Sequence, residues 1–256
     1  MVFASKKIVN KMEMWTNHKP LLEIAPPVKA SRMIPDWFEK LHSDLDVLDP
    51  QFPKTAPIIK DFMSHTIKKC PAIVDYVAQG YIIPYWTDTI IQRIGNKFQF
   101  EHNQTALNDG FGQIEFHSFE QLSTFPFKEG DFNEGVKFIS PWFFRTPPGW
   151  STLFLPPLLH NEDRFTVLPG IVETDVFHQV NFPSIFHLEG QTIIKRGEPF
   201  LQAIPFKRES IDLEIRLSTD DDRQLIEDQG MELRSKFTNG YRDITRRNRK
   251  KNGKQS

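Results

Sequence analysis

The chain has 256 residues, of which 39% are hydrophobic and 25% charged, and its formal net charge is −1. These values are typical of folded proteins in water, so they exclude a disordered chain, and the near-neutral charge argues against a general nucleic-acid-binding surface. No run approaches the roughly 20 apolar residues that span a bilayer, so we expect no membrane contact and a cytoplasmic location.

The aromatic and cysteine contents constrain the interior. The chain has 23 Phe and only 4 Tyr, which predicts rings packed between sheets, mostly without a polar group. The one cysteine, Cys70, excludes an intramolecular disulfide and a cysteine-based zinc site. We expect Cys70 to be a buried, small apolar residue.

Two short helices are predicted in the first third of the chain. In residues 33–43, Pro35 suits a first helical turn and Asp36 favours the positive end of the helix dipole. In residues 67–79, apolar residues recur at helical spacing until Gly80, which readily takes the conformation that ends a helix.

After Gly80 the pattern changes to short strands. Gly95 and Asn96 separate two alternating runs, which predicts a β-hairpin because both residues tolerate positive φ in a two-residue turn. In residues 141–209, apolar and β-branched runs end at Pro, Gly or Asn, so we expect successive strands joined by turns.

The C-terminal part opens with residues 211–217, IDLEIRL, whose strict alternation predicts one more strand. Thr219 would cap a helix over residues 219–245, with Asp222 at its third position. Its apolar seam would contain Ile226, Leu233, Phe237, Tyr241 and Ile244. Residues 246–256 are basic and aperiodic, which predicts a disordered tail and only weakly suggests contact with nucleic acid.

Together these elements predict one β-rich domain over residues 1–245. Its class would be mainly β (α+β), with a β-clip or barrel-like core, short N-terminal helices and a C-terminal helix.

Three pieces of the 141–209 stretch resemble the β-clip fold of dUTPases and dCTP deaminases. Residues 146–155, TPPGWSTLFL, are similar to the turn and strand before that family's phosphate motif. Residues 170–175, GIVETD, are similar to its turn under the nucleoside, and IIKRGEPFLQAIPF, with Gly197 and Gln202, to its closing strand. The resemblance implies a nucleotide or small-molecule ligand and, with the helical seam, a homotrimer.

The same resemblance argues against an active dUTPase. Where the family has Arg and Ser to hold phosphates, Pro156 is followed by Pro157 and Leu158, and apolar side chains cannot neutralise or hydrogen-bond a triphosphate. Val176 replaces the Tyr that packs on deoxyribose, and His178 stands where the family has Gly.

A longer resemblance covers most of residues 24–209. The strings PPVKASRMIPDWFEKL, TIKKCPAIVDYVAQGYIIPYWTD and GEPFLQAIPFKRE are similar to an uncharacterised family common in tailed phages. It implies a viral, phage-related protein in the host cytoplasm and supplies no catalytic residue.

Glu173 and Asp175 are the candidate catalytic residues. Glu173 matches the water-activating Asp of the β-clip family, and alternate residues of a strand face the same way, so one carboxylate could act as base and the other bind a divalent metal. Mg²⁺ would be the cofactor of such a hydrolase; otherwise we expect none. The alternative is a turn whose carboxylates accept backbone N–H groups.

Four residues are candidates for ligand binding. Arg145 and Trp150 could stack on a base, His178 follows the 170–175 turn, and Gln202 lies in the closing strand. A partly buried Arg beside core aromatics is the alternative for the first two. The scattered histidines lack metal-ligand spacing, so no metal site is predicted.

The leading hypothesis is a non-catalytic or degenerate dUTPase-like module for binding or assembly. A nucleotide or small-molecule hydrolase that uses Glu173 and Asp175 is the first alternative, and a structural virion component is the second. Carboxylates that converge on an open pocket would indicate the enzyme, whereas burial against backbone would indicate the module.

Overall fold

The computed structural model describes residues 11–44, 65–102, 113–235, 241 and 243–247. Its contacts divide the chain into two units. The β unit comprises Met1–Pro35 and Val77–Glu209, and the helical unit comprises Asp36–Tyr76 and Ser210–Ser256. The single domain over residues 1–245 stays a prediction.

The β-strands, in chain order, are β1 (Glu13–Trp15), β2 (Val28–Lys29), β3 (Tyr81–Pro84), β4 (Thr89–Ile94), β5 (Lys97–His102), β6 (Ile114–His117), β7 (Gly135–Arg145), β8 (Trp150–Leu155), β9 (Phe165–Val167), β10 (Gly170–Val172), β11 (Gln179–Phe186), β12 (Gly190–Ile194) and β13 (Pro199–Lys207). The α-helices are α1 (Leu21–Ile24), α2 (Asp36–Lys40), α3 (Pro71–Val77) and α4 (Asp220–Ser235), and residues 243–247 are also helical. Short 3₁₀ helices lie at Ala30–Arg32, Ile67–Lys69 and Phe119–Leu122.

The strands form three antiparallel sheets in the β unit. One has the order β1-β7-β11-β9, with β6 also paired to β7; the second has the order β10-β8-β13-β3-β2; the third has the order β12-β4-β5. All three sheets contribute to one buried cluster, for example through Phe138 of the first, Phe200 of the second and Ile91 of the third. The predicted mainly β class with a barrel-like core is confirmed.

Aromatic rings dominate that cluster, as the composition predicted. Phe138, Phe200 and Tyr85 are each at most 2% exposed, and the ring centroids of Phe138 and Phe200 lie 4.9 Å apart. The Tyr85 hydroxyl lies 2.9 Å from Thr89 Oγ1, and burial raises the pKa of Tyr85 above its ordinary value. Its polar atom is therefore satisfied inside an apolar core.

The predicted hairpin is confirmed as β4 and β5, joined by Gly95 and Asn96, with Gly95 at φ 56°. Strand β4 alternates buried and exposed positions, so every second side chain enters the core.

Gly80, predicted as a helix stop, follows α3 at φ 71°. A Cβ there would lie 2.2 Å from the Ala203 carbonyl oxygen, so this position needs glycine for space as well as for φ.

The helical unit shows two local corrections. The predicted helix over residues 33–43 is confined to α2, and the 67–79 segment is split into a 3₁₀ turn and α3, which begins at Pro71 because proline suits a first turn. Cys70 lies at that junction and is exposed. The prediction of a buried Cys70 was therefore wrong.

The predicted strand at residues 211–217 was also wrong, since none of these residues belongs to a strand or helix. Its four apolar side chains are among the most exposed of the described residues: Ile211 91%, Leu213 84%, Ile215 86% and Leu217 92%. Alternation predicts a strand only when a neighbour supplies the backbone hydrogen bonds, and no described strand of this chain does so. We call residues 211–217 the apolar arm.

Helix α4 begins where the sequence indicated. Thr219 Oγ1 accepts the Asp222 N–H at 3.2 Å, and Asp222 Oδ2 accepts the Thr219 N–H at 2.8 Å, so the two residues cap the helix reciprocally. In the predicted seam Ile226 is 66% and Leu233 44% exposed, while Phe237 lies outside the described residues. The tail was predicted to begin at residue 246, but residues 246 and 247 are helical, and residues 248–256 lie outside the described ones. In the described part of the chain, every helix is too short or too polar to span a bilayer.

Candidate functional site

Strands β10, β8 and β13 bring the three β-clip-like pieces together. Val172 of β10 pairs with Thr152 of β8, and Thr152 pairs with Pro205 of β13. The turn at residues 173–177 follows β10, and the turn at residues 147–149 precedes β8. The candidate residues near Asp175 therefore lie at one end of this sheet.

Asp175 joins the two turns through the Gly149 N–H and also forms a bidentate ion pair with Arg208. Its Oδ1 accepts from Arg208 Nη1 at 2.8 Å, its Oδ2 accepts from Arg208 Nη2 at 2.6 Å, and the Gly149 N–H donates to Oδ2 at 2.8 Å. The Asp175 side chain is only 7% exposed. Both oxygens are thus engaged by protein groups, as in a carboxylate that closes a turn.

The electrostatics follow from that pairing. The hydrogen bonds from Arg208 lower the pKa of Asp175 to about 2, against the opposing effect of desolvation and with help from the Gly149 N–H. A carboxyl group with so low a pKa is ionised at neutral pH and is a weak base.

Glu173 has different surroundings. Its side chain is 65% exposed, and its Oε2 lies 3.8 Å from Arg208 Nη1. Glu173 and Asp175 therefore share a cation, but one faces water while the other is enclosed. Their joint catalytic role stays a prediction, and the contacts of Asp175 correspond to the turn alternative.

Three buried threonines lie beneath these turns. Thr174 Oγ1 is 2.8 Å from both Thr146 Oγ1 and Thr152 Oγ1, and all three residues are at most 4% exposed. Thr146 Oγ1 also donates to the Trp150 carbonyl at 3.1 Å. The two turns are consequently fixed from inside by hydroxyl hydrogen bonds as well as from outside by Arg208.

The four ligand-binding candidates do not form one cluster, although Arg145 and His178 both contact the Trp15 ring. Gln202 is fully buried, accepts the Leu158 N–H at 2.9 Å and donates to the Gln79 carbonyl. His178 Nδ1 lies 3.0 Å from the Phe144 carbonyl. Because a carbonyl oxygen only accepts, Nδ1 carries the proton.

Arg145 and Trp150 also have separate partners. The Arg145 guanidinium lies over the Trp15 ring, with its central carbon 5.0 Å from the ring centroid. Arg145 Nη1 also lies 3.6 Å from Glu13 Oε2. The Trp150 carbonyl accepts from Arg208 Nη1 at 3.0 Å, while its side chain is half-buried. Binding of a ligand by these residues stays a prediction.

A second cluster was missed by the sequence reasoning. Thr166 Oγ1 lies 2.7 Å from His187 Nε2, and His187 Nδ1 lies 2.7 Å from Asp131 Oδ1. The Lys128 N–H donates to Asp131 Oδ2 at 2.8 Å, and the Asp131 side chain is 6% exposed. Desolvation opposes ionisation of Asp131, but the bonds from His187 and Lys128 outweigh it and lower the pKa of Asp131.

The proton positions in this cluster follow from the acceptor roles. An ionised Asp131 only accepts, so His187 Nδ1 donates to it and Nε2 is left to accept from the Thr166 hydroxyl. This is the order hydroxyl, imidazole and carboxylate that activates a nucleophile. Nothing in the sequence pointed to it, because its members are far apart in the chain and form no local motif.

In the parts of the chain that the structure describes, no three His, Cys, Asp or Glu side chains converge to hold a metal ion.

No protein-family model matches the chain, and no curated protein matches it. Among solved structures the chain is similar to a mutant dUTPase from phage phi11 of S. aureus, with a TM-score of 0.26 and 8% identity over 42% of this chain and 99% of that one. At this TM-score the similarity assigns no role to any residue of this chain.

Proposed function

We propose that this protein is a non-catalytic assembly module that associates with copies of itself through the apolar arm. The observation that carries the proposal is the exposure of four apolar side chains, each 84–92% exposed, on a segment outside every sheet. Removal of such side chains from water is favourable in free energy. A monomer surface seldom exposes four large apolar side chains so close together.

The alternation within the arm supports a β-type contact. Apolar residues at every second position would lie on one face of a strand, and Asp212, Glu214 and Arg216 on the other. Unpaired strands of this kind attract the edge of another strand. A second chain would supply the backbone hydrogen bonds that no described strand of this chain provides at residues 211–217.

The Asp175 contacts support a scaffold rather than a hydrolase. Arg208 and Gly149 engage the carboxylate that the hydrolase alternative needs. The placement of the three β-clip-like pieces in one sheet supports a dUTPase-like scaffold, and the phage context of the second resemblance remains part of this proposal.

Sedimentation velocity tests the assembly. We expect the full chain to be oligomeric and the Leu213→Ser/Leu217→Ser double variant to dissociate, because the arm loses half of its apolar side chains. Ile171→Ser/Val176→Ser is a matched control, since it removes two side chains that are 65% and 72% exposed in the β unit. A monomeric wild-type protein, or association that survives the arm substitutions, would show that the proposal is wrong.

A second candidate function is acyl transfer at Thr166, favoured by its geometry with His187 and Asp131. Thr166 Oγ would bond to the acyl carbon of an ester while His187 Nε2 takes the hydroxyl proton and passes it to the leaving alcohol; water would then release the acid and restore Thr166. Mass spectrometry after incubation with a nitrophenyl ester should detect one acyl group on Thr166. Its absence, or its persistence in His187→Phe, would eliminate this candidate.

A further inference from the structure

The apolar arm limits how two copies can pair. In an antiparallel pair, residues directly opposite one another lie on the same face. A one-residue slip would put the apolar side chains of one arm on the face that carries the charges of the other. Each Ile or Leu of one arm must therefore lie opposite an Ile or Leu of the other arm.

Charge then selects among the remaining registers. A pair centred on Glu214 opposes two glutamates, one centred on Arg216 opposes two arginines, and one centred on Leu213 opposes Asp212 with Glu214. Like charges directly opposite destabilise a strand pair. Each of these three registers carries such a conflict.

The register centred on Ile215 carries no such conflict. It places Glu214 opposite Arg216 twice, once on each side of the central pair. It also places Leu213 opposite Leu217 twice, and Asp212 opposite the neutral Ser218. The sequence of the arm is thus complementary to a second copy of itself in this register.

The C-terminal end of the arm is fixed to helix α4. The Arg216 guanidinium forms a bidentate ion pair with Asp222, and Asp222 in turn caps the helix with Thr219. The Arg216 side chain is still 52% exposed, so it can also contact a carboxylate of another chain. The arm and the first turn of α4 therefore form one connected β-α element.

Helix α4 offers the apolar surface that a two-stranded ribbon needs. Leu225, Ile226 and Leu233 fall within about 100° of one another around the helix axis, and they are 55%, 66% and 44% exposed. A ribbon of two arms would leave eight apolar side chains on one face, and two strands alone are marginally stable in water. The apolar faces of the two α4 helices would cover that ribbon.

We propose that two copies of this chain form a two-fold dimer in which the arms pair antiparallel about Ile215 and the α4 helices cover the apolar face of the ribbon. This inference rests on the proposed self-assembly and names its partner and register.

Disulfide cross-linking tests the register in the full chain, with the exposed Cys70 replaced by Ser. Opposed Cα atoms in an antiparallel pair are about 4.5–5.5 Å apart, within the range of about 4.4–6.8 Å that a disulfide requires. Ile215→Cys should therefore yield a covalent dimer on oxidation. Leu213→Cys is the matched control, because it would face Leu217 and lie about 13 Å from its own copy.

A mixing experiment tests the charge pairs. In a homodimer of Glu214→Arg, the introduced arginine faces Arg216 at both pairs. In a homodimer of Arg216→Glu, the introduced glutamate faces Glu214 at both pairs. Each variant should therefore dimerise about tenfold more weakly than wild type. An equimolar mixture restores both opposite-charge pairs and should recover the dimer. Lys195→Glu, an exposed reversal in the β unit, should leave association unchanged.

The outcomes separate the two levels of the proposal. Arm-dependent association without an Ile215→Cys cross-link, or without recovery on mixing, would overturn the register and leave the assembly function standing. A trimer in sedimentation would contradict the two-fold ribbon. Association that persists in Leu213→Ser/Leu217→Ser would overturn both.

Discussion

At the scale of single residues, Asp175 and Arg208 connect the two turns beside β8 and β10. Arg208 contacts Asp175, the Trp150 carbonyl at 3.0 Å and Ser151 Oγ at 3.1 Å, so it connects both turns around β10 and β8. Bidentate pairing with a carboxylate gives this contact a defined geometry.

We expect Asp175→Asn to lower the melting temperature at pH 7. The pKa of Asp175 is lowered from 3.8 to about 2 in the folded protein. A lowered folded-state pKa stabilises the fold above the unfolded value, and that contribution is lost as the pH falls through the folded value. The difference between wild type and variant should therefore shrink between pH 3.8 and about 2.

Thermal denaturation at pH 7, 4 and 2 measures this effect. Glu173→Gln is the control, since the Glu173 side chain is 65% exposed and should change the melting temperature little. A difference between Asp175→Asn and wild type that stays constant down to pH 2 would contradict the assignment of the ion pair.

Gly80 and Gly149 give a matched pair of backbone tests. Both have positive φ, at 71° and 81°, but an added Cβ would lie 2.2 Å from the Ala203 oxygen at Gly80 and would meet nothing within 4 Å at Gly149. Gly149→Ala should cost about 1–2 kcal/mol of unfolding free energy from φ alone. Gly80→Ala should cost roughly 3 kcal/mol or more, because backbone must also move. Equal losses in urea denaturation would refute the close approach.

At the scale of elements, local sequence signals were enough to predict an element that is stabilised by contacts between its own neighbouring residues. The β4–β5 hairpin and the start of α4 were predicted because a two-residue turn and a capping box involve neighbouring residues only. The arm has the alternation of a strand, yet a strand also requires a partner, which no described strand of this chain supplies.

The α4 cap supplies an element-scale prediction. Thr219→Ala removes the acceptor of the Asp222 N–H, so we expect α4 to lose about 1 kcal/mol of stability. Far-ultraviolet circular dichroism during thermal denaturation should show that the variant loses helix at a lower temperature than the wild type does. Ser218→Ala is the control, because the Ser218 hydroxyl lies outside the reciprocal cap and makes only a 3.4 Å contact with Arg223. An equal loss in that variant would argue against the capping role.

At the scale of the whole molecule, the three sheets of the β unit share one aromatic core, so the core was predictable from composition and the sheet order was not. The same sheet order brings residues 146–155 beside residues 170–172, although Pro156, Pro157 and Leu158 do not provide a phosphate-binding group.

We accordingly expect no thermal stabilisation by nucleoside triphosphates with Mg²⁺. A ligand that binds only the folded state raises the apparent stability by about 2.7 kcal/mol at 100 times its dissociation constant, so binding would be readily detected. A melting temperature that rises with dUTP and Mg²⁺ in wild type, and not in Asp175→Asn, would instead support the hydrolase alternative.

The sequence by itself determined the mainly β class, the Phe-rich core, the hairpin at Gly95 and the cap at Thr219, because each depends on composition or on residues close in the chain. Only the tertiary structure decided that Asp175 is paired with Arg208, that Gln202 is enclosed, and that Thr166, His187 and Asp131 meet. It also decided that residues 211–217 lie outside every sheet. These outcomes depend on contacts between distant segments, which local patterns of apolar and charged residues do not encode.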